Sequence, residues 1–303
     1  MTAAINPQDI LWVAVDWGTT RLRAWAMGEG GTVLSSASSE DGMGALARHE
    51  FEDALLRLAG DWLAPGIPVI ACGMVGSRQG WVEAPYRVVP ARPAADELVS
   101  APAKRAGLDV RVVPGLKQTS PADVMRGEET QIAGFLALHP GWDGVICLPG
   151  THTKWAHLSA GEVVSFQTFM TGDLFAAISG HTVLRHSVGT EGREGTDFDD
   201  AVEEIMTRPE RLASRLFGLR AQGLLEGLDP AAATAALSGM LLGAELAAAR
   251  PYWLGQQIAI LGANSLAQRY ARALALQHVD ATIVEADACT LAGLTAQYKK
   301  ATS

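Results

Sequence analysis

A carboxylate, a glycine and two threonines occur together near the start of the chain. Strand-forming residues from Leu11 to Val15 lead to Asp16, and Gly18, Thr19 and Thr20 then form a turn before a second alternating stretch. Glycine lets a ligand approach the backbone, and N–H and O–H donors at a tight turn can bind an anion. A carboxylate beside them suits the Mg²⁺ of a magnesium–polyphosphate complex. A hairpin turn without a chemical role explains the same residues equally well.

The same pattern recurs in the second half of the chain, from Gly144 to His157. There a strand-like run leads to Gly150 and Thr151, and another strand-like run follows. Leu148 stands where the first copy has Asp16. We infer two halves of similar design, of which the first can hold a metal ion and the second can only donate hydrogen bonds.

A kinase that phosphorylates an alcohol needs a carboxylate to accept the hydroxyl proton. Glu128 follows Gly127 near the start of a helix predicted over Asp123 to Leu138, which leads into the second hairpin. Stabilisation of the first helical turn, worth ~0.3–1 kcal/mol, is an equal alternative for Glu128. The acids with a suitable context are Asp16, Glu128, Glu129 and Asp173.

Three further features could bind ligands. Arg21 and Arg23 share one face of the second strand, where a guanidinium can bind a carboxylate or phosphate through two hydrogen bonds, unless the face is simply solvated. The glycine-rich loop from Gly73 to Trp81 follows a short predicted strand, where α/β scaffolds carry function. Gly262 to Ser265 joins a strand to a helix, and small residues there would admit adenine or ribose, although packing also produces such junctions.

The elements that must position these residues alternate between strand and helix, which predicts mixed α/β halves with a cleft between them. Helices are predicted at about 49–63, 123–138, 200–214, 229–250, 266–276 and 288–299, and strands at 67–72, 110–113, 257–261 and 281–285. The chain lacks the Walker lysine motif, the G-x-G-x-x-G motif and the G-x-S-x-G motif, which disfavours two common nucleotide folds and a serine hydrolase.

Composition limits the classes of function. The 303 residues are 48% apolar and 19% charged, typical of a globular chain, and the net charge of −9 argues against a broad nucleic-acid-binding face. The first residues lack the features of a signal peptide, and the stretch from Ala231 to Ala249 contains Glu245, which favours a buried helix over a membrane span. Cys72, Cys147 and Cys289 have no metal or disulfide spacing, so we expect reduced thiols in a cytoplasmic protein.

Three stretches resemble the sugar kinase, heat-shock protein and actin-like ATPase superfamily: Asp16 to Thr20, Pro149 to Thr153 and Leu261 to Ser265 match its two phosphate motifs and its adenosine motif. Within it, the chain resembles the 2-dehydro-3-deoxygalactonokinases in the stretches Ala14–Thr20, Gly73–Ser77, Gly80–Trp81, Ala84–Tyr86, Val124–Gln131, Pro149–Trp155 and Met170–Gly172. The resemblance implies an α/β fold of two similar ribonuclease H-like lobes, residues 1–137 and 138–303, with a cleft between them.

The resemblance also implies ATP-dependent phosphorylation of the C6 hydroxyl of 2-dehydro-3-deoxy-D-galactonate in D-galactonate catabolism. Asp16 would position Mg²⁺ through water. Glu128 matches the base of related sugar kinases, which usually have Asp there, so Glu129 and Asp173 remain alternatives. ATP would be bound by Gly18, Thr19, Thr20, Arg23, Gly150, Thr151, Thr153, Lys154, Gly262 and Asn264. The sugar acid would be bound by Trp17, Arg21, Met74, Gly76, Ser77, Trp81 and Tyr86, with Arg21, Arg23 or Arg78 on its carboxylate.

The expected partner is a small-molecule sugar acid, without nucleic acid or membrane, and a homo-oligomer is left open. Two alternatives are a kinase of the same fold for another sugar or sugar acid, and a nucleotide-driven conformational protein of the actin or chaperone type. The latter usually has large extra subdomains, for which this chain is short. ADP release that depends on the sugar acid would distinguish the enzyme from the conformational protein.

Overall fold

The computed structural model of the protein describes residues 6–190, 192, 195–262 and 265–302. They form two compact units. Unit 1 contains the chain up to Trp142, together with Ser159–Ser165 and the stretch from Ala286 onward, and unit 2 contains Asp143–Leu158 and Phe166–Glu285. Each unit has its own central sheet and its own hydrophobic core.

Unit 1 begins with an antiparallel meander of three strands, β1 (Trp12–Trp17), β2 (Leu22–Met27) and β3 (Val33–Ser39), and β4 (Pro68–Gly73) pairs parallel with β1. The strands that follow are β5 (Arg87–Val88), β6 (Val99–Ser100), β7 (Asp109–Val112), β8 (Leu116–Thr119) and β9 (Ala122–Met125). They complete a six-stranded sheet of order β3-β2-β1-β4-β7-β6 and a three-stranded sheet of order β5-β8-β9.

The alternation of side chains along β1 gives each face of the large sheet its own core. Odd-numbered residues of β1 cluster with helix α1 (Phe51–Ala59), which lies within the predicted helix at 49–63. Even-numbered residues cluster with helix α9 (Ala286–Thr302), the last helix of the chain. Burying each large side chain of this kind contributes ~1.5–3 kcal/mol. Asp16 has an even number, so it lies on the face that α9 covers.

The predicted helix over Asp123 to Leu138 is wrong in its first part. Strand β9 occupies Ala122–Met125 and pairs antiparallel with β8, and helix α2 (Glu128–Leu138) begins only after Gly127. Gly127 has a φ of +105°, a conformation that favours glycine because it has no Cβ. This turn, rather than helix, lies before Glu128 and makes it the first helical residue.

Helices α2 and α9 pack with their backbones in direct contact. A Cβ on Gly134 would lie 1.7 Å from the carbonyl oxygen of Cys289, and a Cβ on Gly293 would lie 1.9 Å from that of Thr130. Only glycine fits at both positions. This close packing fixes the start of α2, and with it the two glutamates there, to the C-terminal helix.

Unit 2 repeats the strand arrangement of unit 1. Its sheet has the order β12-β11-β10-β13-β14, formed by β10 (Gly144–Leu148), β11 (Thr153–Ser159), β12 (Glu162–Phe169), β13 (Ile258–Leu261) and β14 (Ala281–Val284). The residues of β12 up to Ser165 are among those assigned to unit 1. As in the strands β3-β2-β1-β4-β7 of unit 1, an antiparallel meander is continued by two parallel strands. The expectation of two halves of similar design is therefore confirmed at the level of the sheets.

The helices of unit 2 surround this sheet. They are α3 (Thr171–His181), α4 (Thr196–Thr207), α5 (Leu212–Leu225), α6 (Pro230–Ala248), α7 (Arg250–Trp253) and α8 (Ser265–Ala275). The single helix predicted at 200–214 is wrong, because a turn that begins at Pro209 separates α4 from α5. Proline lacks the N–H that a continuous helix needs.

Helix α6 is long and apolar enough to span a membrane by length and composition, but 72% of its apolar window is buried inside the protein. Its side contacts α4 through Gly239 and Gly243, where a Cβ would lie 2.3 and 2.7 Å from carbonyl oxygens of α4. Asp229 caps its first turn by accepting a hydrogen bond from the Ala232 N–H. Most of the apolar surface of α6 is therefore packed in the core of unit 2.

Candidate active site

Asp16 lies near the carboxyl end of β1, and the strand register places it opposite Arg23 of β2. Arg23 Nη2 donates to Asp16 Oδ2 at 2.5 Å, and Arg23 Nη1 donates to Asp287 Oδ1 of α9 at 2.6 Å. Burial alone would lower the pKa of Arg23, but the two carboxylates outweigh it and raise the pKa above its ordinary value. Arg23 thus neutralises Asp16 here, and phosphate binding by Arg23 stays a prediction.

The first Gly-Thr turn is closed by a hydrogen bond from the Gly18 N–H to the Arg21 carbonyl oxygen at 2.9 Å. The Met43 N–H donates to the Gly18 carbonyl oxygen at 2.9 Å, so the neighbouring segment supports the turn from outside. Thr19 and Thr20 are exposed. The turn is therefore held by the Gly18 N–H and by its carbonyl groups, and its two threonines lie at the surface.

The donor set around Asp16 fits a magnesium ion carried by a polyphosphate. Within the part of the chain that the structure describes, no group of three or more His, Cys, Asp or Glu residues could hold a metal ion. Magnesium does not need such a group, since it is commonly held by one or two carboxylates, waters and phosphate oxygens. Asp16 Oδ1 receives only a long contact from the Cys72 thiol, at 3.7 Å, and so retains capacity to accept.

The two glutamates at the start of α2 lie in different environments. Glu129 is fully buried, with Oε2 accepting from the Gly127 N–H at 2.7 Å and Oε1 from the Thr130 hydroxyl at 3.2 Å. Burial, followed by the charge of Glu128, raises the pKa of Glu129 to about 7. Glu128 is only partly buried and accepts from the Arg126 N–H at 2.9 Å. Of the two, Glu128 has the more accessible carboxylate.

The sequence reasoning did not assign a role to Arg126, the last residue before this turn. Its side chain is only 8% exposed, and its guanidinium carbon lies 4.2 Å from the centre of the Tyr86 ring. Nη2 donates to the Ala84 carbonyl oxygen at 2.7 Å. A Cβ on Gly76 would lie 2.8 Å from Arg126 Nη1. Arg126 therefore lies against Tyr86 and Gly76, two of the residues predicted to bind the sugar acid.

The other residues predicted to bind the sugar acid divide between core and surface. Trp17 and Trp81 lie in the core, with ring centres 6.2 Å apart and both indole N–H groups donating to backbone carbonyls. Because both side chains are buried, they are poorly placed for the predicted role of binding the sugar acid. Met74 is partly buried, Ser77 is buried, and Arg21 is 69% exposed and pairs weakly with a nearby glutamate.

In unit 2, the second Gly-Thr turn is supported by the start of α3. A Cβ on Gly172 would lie 2.4 Å from the Gly150 carbonyl oxygen, and the Asp173 N–H donates to the Thr151 carbonyl oxygen at 3.1 Å. Asp173 also pairs with His152, with Nε2 2.9 Å from Oδ2. Like the first turn, this one is held by its carbonyl groups. Thr151 is exposed.

A buried carboxylate behind the second turn was also missed by the sequence reasoning. Glu245 of α6 accepts from the Trp155 indole N–H at 2.7 Å, from the Tyr270 hydroxyl at 2.8 Å and from the Thr171 hydroxyl. Burial raises the pKa of Glu245, and these hydrogen bonds oppose the rise. The Tyr270 hydroxyl lies 2.8 Å from the Thr153 hydroxyl. Glu245 thus fixes β11, α3 and α8 around the turn.

A cavity of about 280 Å³ lies in unit 2 beside this turn. Its lining is mostly apolar and includes Leu241 and Leu266. The polar side chains in the lining include Thr151, Thr171, Ser238 and Arg269. Lys154 is buried, and its Nζ donates to the His152 carbonyl oxygen at 3.2 Å. Gly262 follows β13, with its N–H donating to the Val284 carbonyl oxygen, whereas Asn264 lies outside the described residues.

Known proteins share this architecture. A crystal structure from Sinorhizobium meliloti that carries the 2-dehydro-3-deoxygalactonokinase name superposes with a TM-score of 0.87 at 39% identity, covering 95% of this chain and 96% of that one. Component A of the (R)-2-hydroxyglutaryl-CoA dehydratase of Acidaminococcus fermentans, with a TM-score of 0.55 and 11% identity over 96% of this chain and 99% of that one, shows the shared fold alone. The fold is that of the actin-like ATPases, and the names of the relatives give the class: a carbohydrate kinase.

Two curated relatives match nearly the whole chain. One is a probable 2-dehydro-3-deoxygalactonokinase of Rhizobium meliloti (strain 1021), 39% identical over 94% of this chain and 95% of its own. The other is the 2-dehydro-3-deoxygalactonokinase of Escherichia coli (strain K12), 34% identical over 93% and 96%. The family model 2-keto-3-deoxy-galactonokinase matches residues 16–297. The chain belongs to the 2-keto-3-deoxy-galactonokinase family, which confirms the resemblance seen in the sequence.

Proposed function

We propose that this chain transfers the γ-phosphoryl group of ATP to the C6 hydroxyl of 2-dehydro-3-deoxy-D-galactonate. The products would be 2-dehydro-3-deoxy-6-phosphogalactonate and ADP, in the breakdown of D-galactonate. Family membership over residues 16–297 is the observation that carries this proposal. The names of both curated relatives support the same substrate. Three free, buried cysteines support a reducing cytoplasm as its location.

The nucleotide is assigned mainly to unit 2. Its apolar cavity, with Thr151 at the Gly-Thr turn and Ser238 and Arg269 among its lining, has the character of a small-molecule site. Backbone N–H groups and threonine hydroxyls at such a turn suit phosphate oxygens. The exposure of the residues Thr19 and Thr20 supports a role for their hydroxyls as phosphate donors in unit 1. This distribution agrees with ATP as the phosphoryl donor of a kinase of this fold.

Asp16 is the residue that would hold magnesium, directly or through water, because its Oδ1 retains capacity to accept. When bound, the ion would neutralise charge on the phosphate oxygens during transfer. Arg23 and Asp287 fix the position of the Asp16 carboxylate through the hydrogen bonds described above. The chain's own contribution is therefore a carboxylate that is already oriented before the nucleotide arrives.

Glu128 is the proposed general base. It would accept the proton of the C6 hydroxyl as the hydroxyl oxygen forms its bond to the γ-phosphorus, and the bond from phosphorus to the oxygen of the leaving ADP would break. Its partial exposure supports this role, whereas Glu129 is enclosed and its carboxylate is used by the Gly127 N–H and the Thr130 hydroxyl. Glu129 is assigned to holding the turn at Gly127, which directly precedes Glu128.

The proposal is tested by ADP release from the purified chain with magnesium–ATP. We expect ADP formation to depend on added 2-dehydro-3-deoxy-D-galactonate and to be much slower with its C4 epimer and with neutral hexoses. ADP formation of equal rate without any acceptor would contradict the proposal and favour a nucleotide-driven conformational protein. A faster reaction with another sugar would show that the chain is a kinase with a different substrate.

A further inference from the structure

We propose that Arg126 is the residue that binds the carboxylate of the sugar acid, presented by Tyr86 and the Ala84 carbonyl group. This inference rests on the proposed function, because it requires an acidic substrate. It replaces Arg21, Arg23 and Arg78, the arginines that the sequence suggested. It also assigns the discrimination between sugar acids and neutral sugars to one buried side chain of unit 1.

The first observation is that the Arg126 guanidinium is buried with most of its donors unused. A guanidinium carries five N–H donors, and buried polar groups in proteins are nearly always hydrogen-bonded. Nη2 donates to the Ala84 carbonyl oxygen. Nε and Nη1 are both buried and have no hydrogen-bond partner among the described residues. A buried guanidinium left in this state is costly unless an anion completes it.

The second observation is that no side-chain carboxylate completes it. In the described ranges, no Asp or Glu oxygen lies within 4.0 Å of the Arg126 guanidinium. The Glu128 carboxylate accepts from the backbone N–H of Arg126 instead, and that of Glu129 from the Gly127 N–H. Nε and Nη1 of Arg126 are therefore donors that an anion from outside the chain could use.

Arg87, one residue after Tyr86, shows how this protein satisfies an arginine that has only a structural role. Its Nη1 donates to the Arg92 carbonyl oxygen at 2.7 Å and its Nη2 to the Pro93 carbonyl oxygen at 2.7 Å. Both terminal nitrogens are thus used by a loop of backbone carbonyls. The Nε of Arg87, like that of Arg126, is buried without a hydrogen-bond partner among the described residues, so the two arginines differ at Nη1. Arg126 has only one such contact. The contrast points to a ligand-binding guanidinium rather than a structural one.

The surroundings of Arg126 hold the guanidinium plane in place while leaving donors open. The Tyr86 ring stacks against it, and a Cβ on Gly115 would lie 2.8 Å from this ring. Gly76 lets the backbone approach Nη1, where any side chain would collide. The hydroxyl of Ser77, the next residue, is also buried without a hydrogen-bond partner among the described residues. A fixed, planar guanidinium suits two parallel hydrogen bonds to a carboxylate.

The arginines suggested by the sequence are less suitable. Arg21 and Arg78 have side chains 69% and 81% exposed, where water and salt weaken any ion pair. Arg23 is already shared between two carboxylates. The position of Arg126 in the chain adds a further argument, because only Gly127 separates it from Glu128. One short segment would hold the carboxylate of the substrate and supply the base for its hydroxyl.

The test compares the sugar acid with its neutral primary amide in the wild type, Arg126→Gln and Arg126→Lys. In Arg126→Gln we expect KM for the acid to rise roughly 100-fold, as for loss of two charge-assisted hydrogen bonds, while KM for ATP stays nearly constant. The preference for the acid over the amide should disappear. Arg126→Lys keeps the charge but not the paired geometry, so its KM for the acid should lie in between.

Arg57→Gln is the matched control, because Arg57 is an exposed arginine of unit 1 that pairs with Asp41; its KM values should equal those of the wild type. Folding of each variant is checked by thermal unfolding and ATP binding. If Arg126→Gln does not fold, the results for Arg126→Lys decide the test. Calorimetric binding of the acid serves as a readout that needs no turnover. A folded Arg126 variant that keeps acid affinity and the preference over the amide overturns the inference while the proposed function stands. A wild type that neither binds nor phosphorylates the acid overturns both.

Discussion

The buried carboxylate of Glu129 makes the stability of this protein depend on pH in a defined window. Glu129 is fully buried, and its pKa is about 7 in the folded protein against an ordinary value of 4.5. Each pKa unit corresponds to 1.36 kcal/mol, so ionising this group costs the folded state about 3 kcal/mol. Replacing Glu129 by Gln removes the ionisation and retains groups that can bond to the Gly127 N–H and the Thr130 hydroxyl.

The sign of the effect follows from proton binding. Below pH 4.5 both folded and unfolded chains hold the proton, and the stabilising contribution is fully present. Between pH 4.5 and about 7 only the folded chain holds it, so the free energy of unfolding decreases as pH rises, and the decrease ends above this window. Relative to the wild type, Glu129→Gln should therefore gain about 3 kcal/mol between pH 4.5 and pH 8.

Urea unfolding followed by circular dichroism, at several pH values across this range, measures the difference. The matched control is Glu226→Gln, since Glu226 is an exposed glutamate at the end of α5. Its difference from the wild type should stay constant with pH. A Glu129→Gln difference that also stays constant would refute the reasoning that burial holds this carboxyl protonated in the folded chain.

Three other substitutions test the proposed site. Glu128→Gln should lower kcat by roughly 10²–10⁴, as expected for loss of a general base, with the Kd for ATP from calorimetry nearly unchanged; undiminished turnover would place the base elsewhere. Glu245→Gln replaces one of the two accepting oxygens with an NH₂ group, so either the Trp155 N–H or the Tyr270 O–H loses its acceptor, and we expect a loss of ~1–3 kcal/mol in urea unfolding and a raised KM for ATP. Gly127→Ala should cost ~1–2 kcal/mol because its φ is +105°, and equal stability would show that the turn relaxes freely.

The fold was largely predictable because its signals are local. Strand-forming residues that end at a Gly-Thr turn occur twice, and the structure forms a similar meander from each copy. The structure of the segment at 122–127 could not be predicted from local signals. Ala122–Met125 pairs with β8, and Gly127 takes a positive φ, but an apolar and charged run before a helix is equally compatible with more helix.

The site was predictable only where its residues adjoin the two turns. Arg126 was missed because its burial and its contacts depend on Tyr86 and Ala84, about 40 residues earlier in the chain. Glu245 was missed because its partners come from three separate elements of unit 2. Such long-range contacts follow from the folded arrangement of the strands and helices, and no local pattern of residue types indicates them.

The most direct test of the account is identification of the phosphorylated product. The purified chain is incubated with magnesium–ATP and 2-dehydro-3-deoxy-D-galactonate, and the products are examined by ³¹P and ¹H correlation spectroscopy. We expect equal amounts of ADP and a phosphorylated sugar acid, with its phosphorus coupled to the protons on C6. ADP without phosphorylated acid, or phosphorus on another carbon, would contradict it.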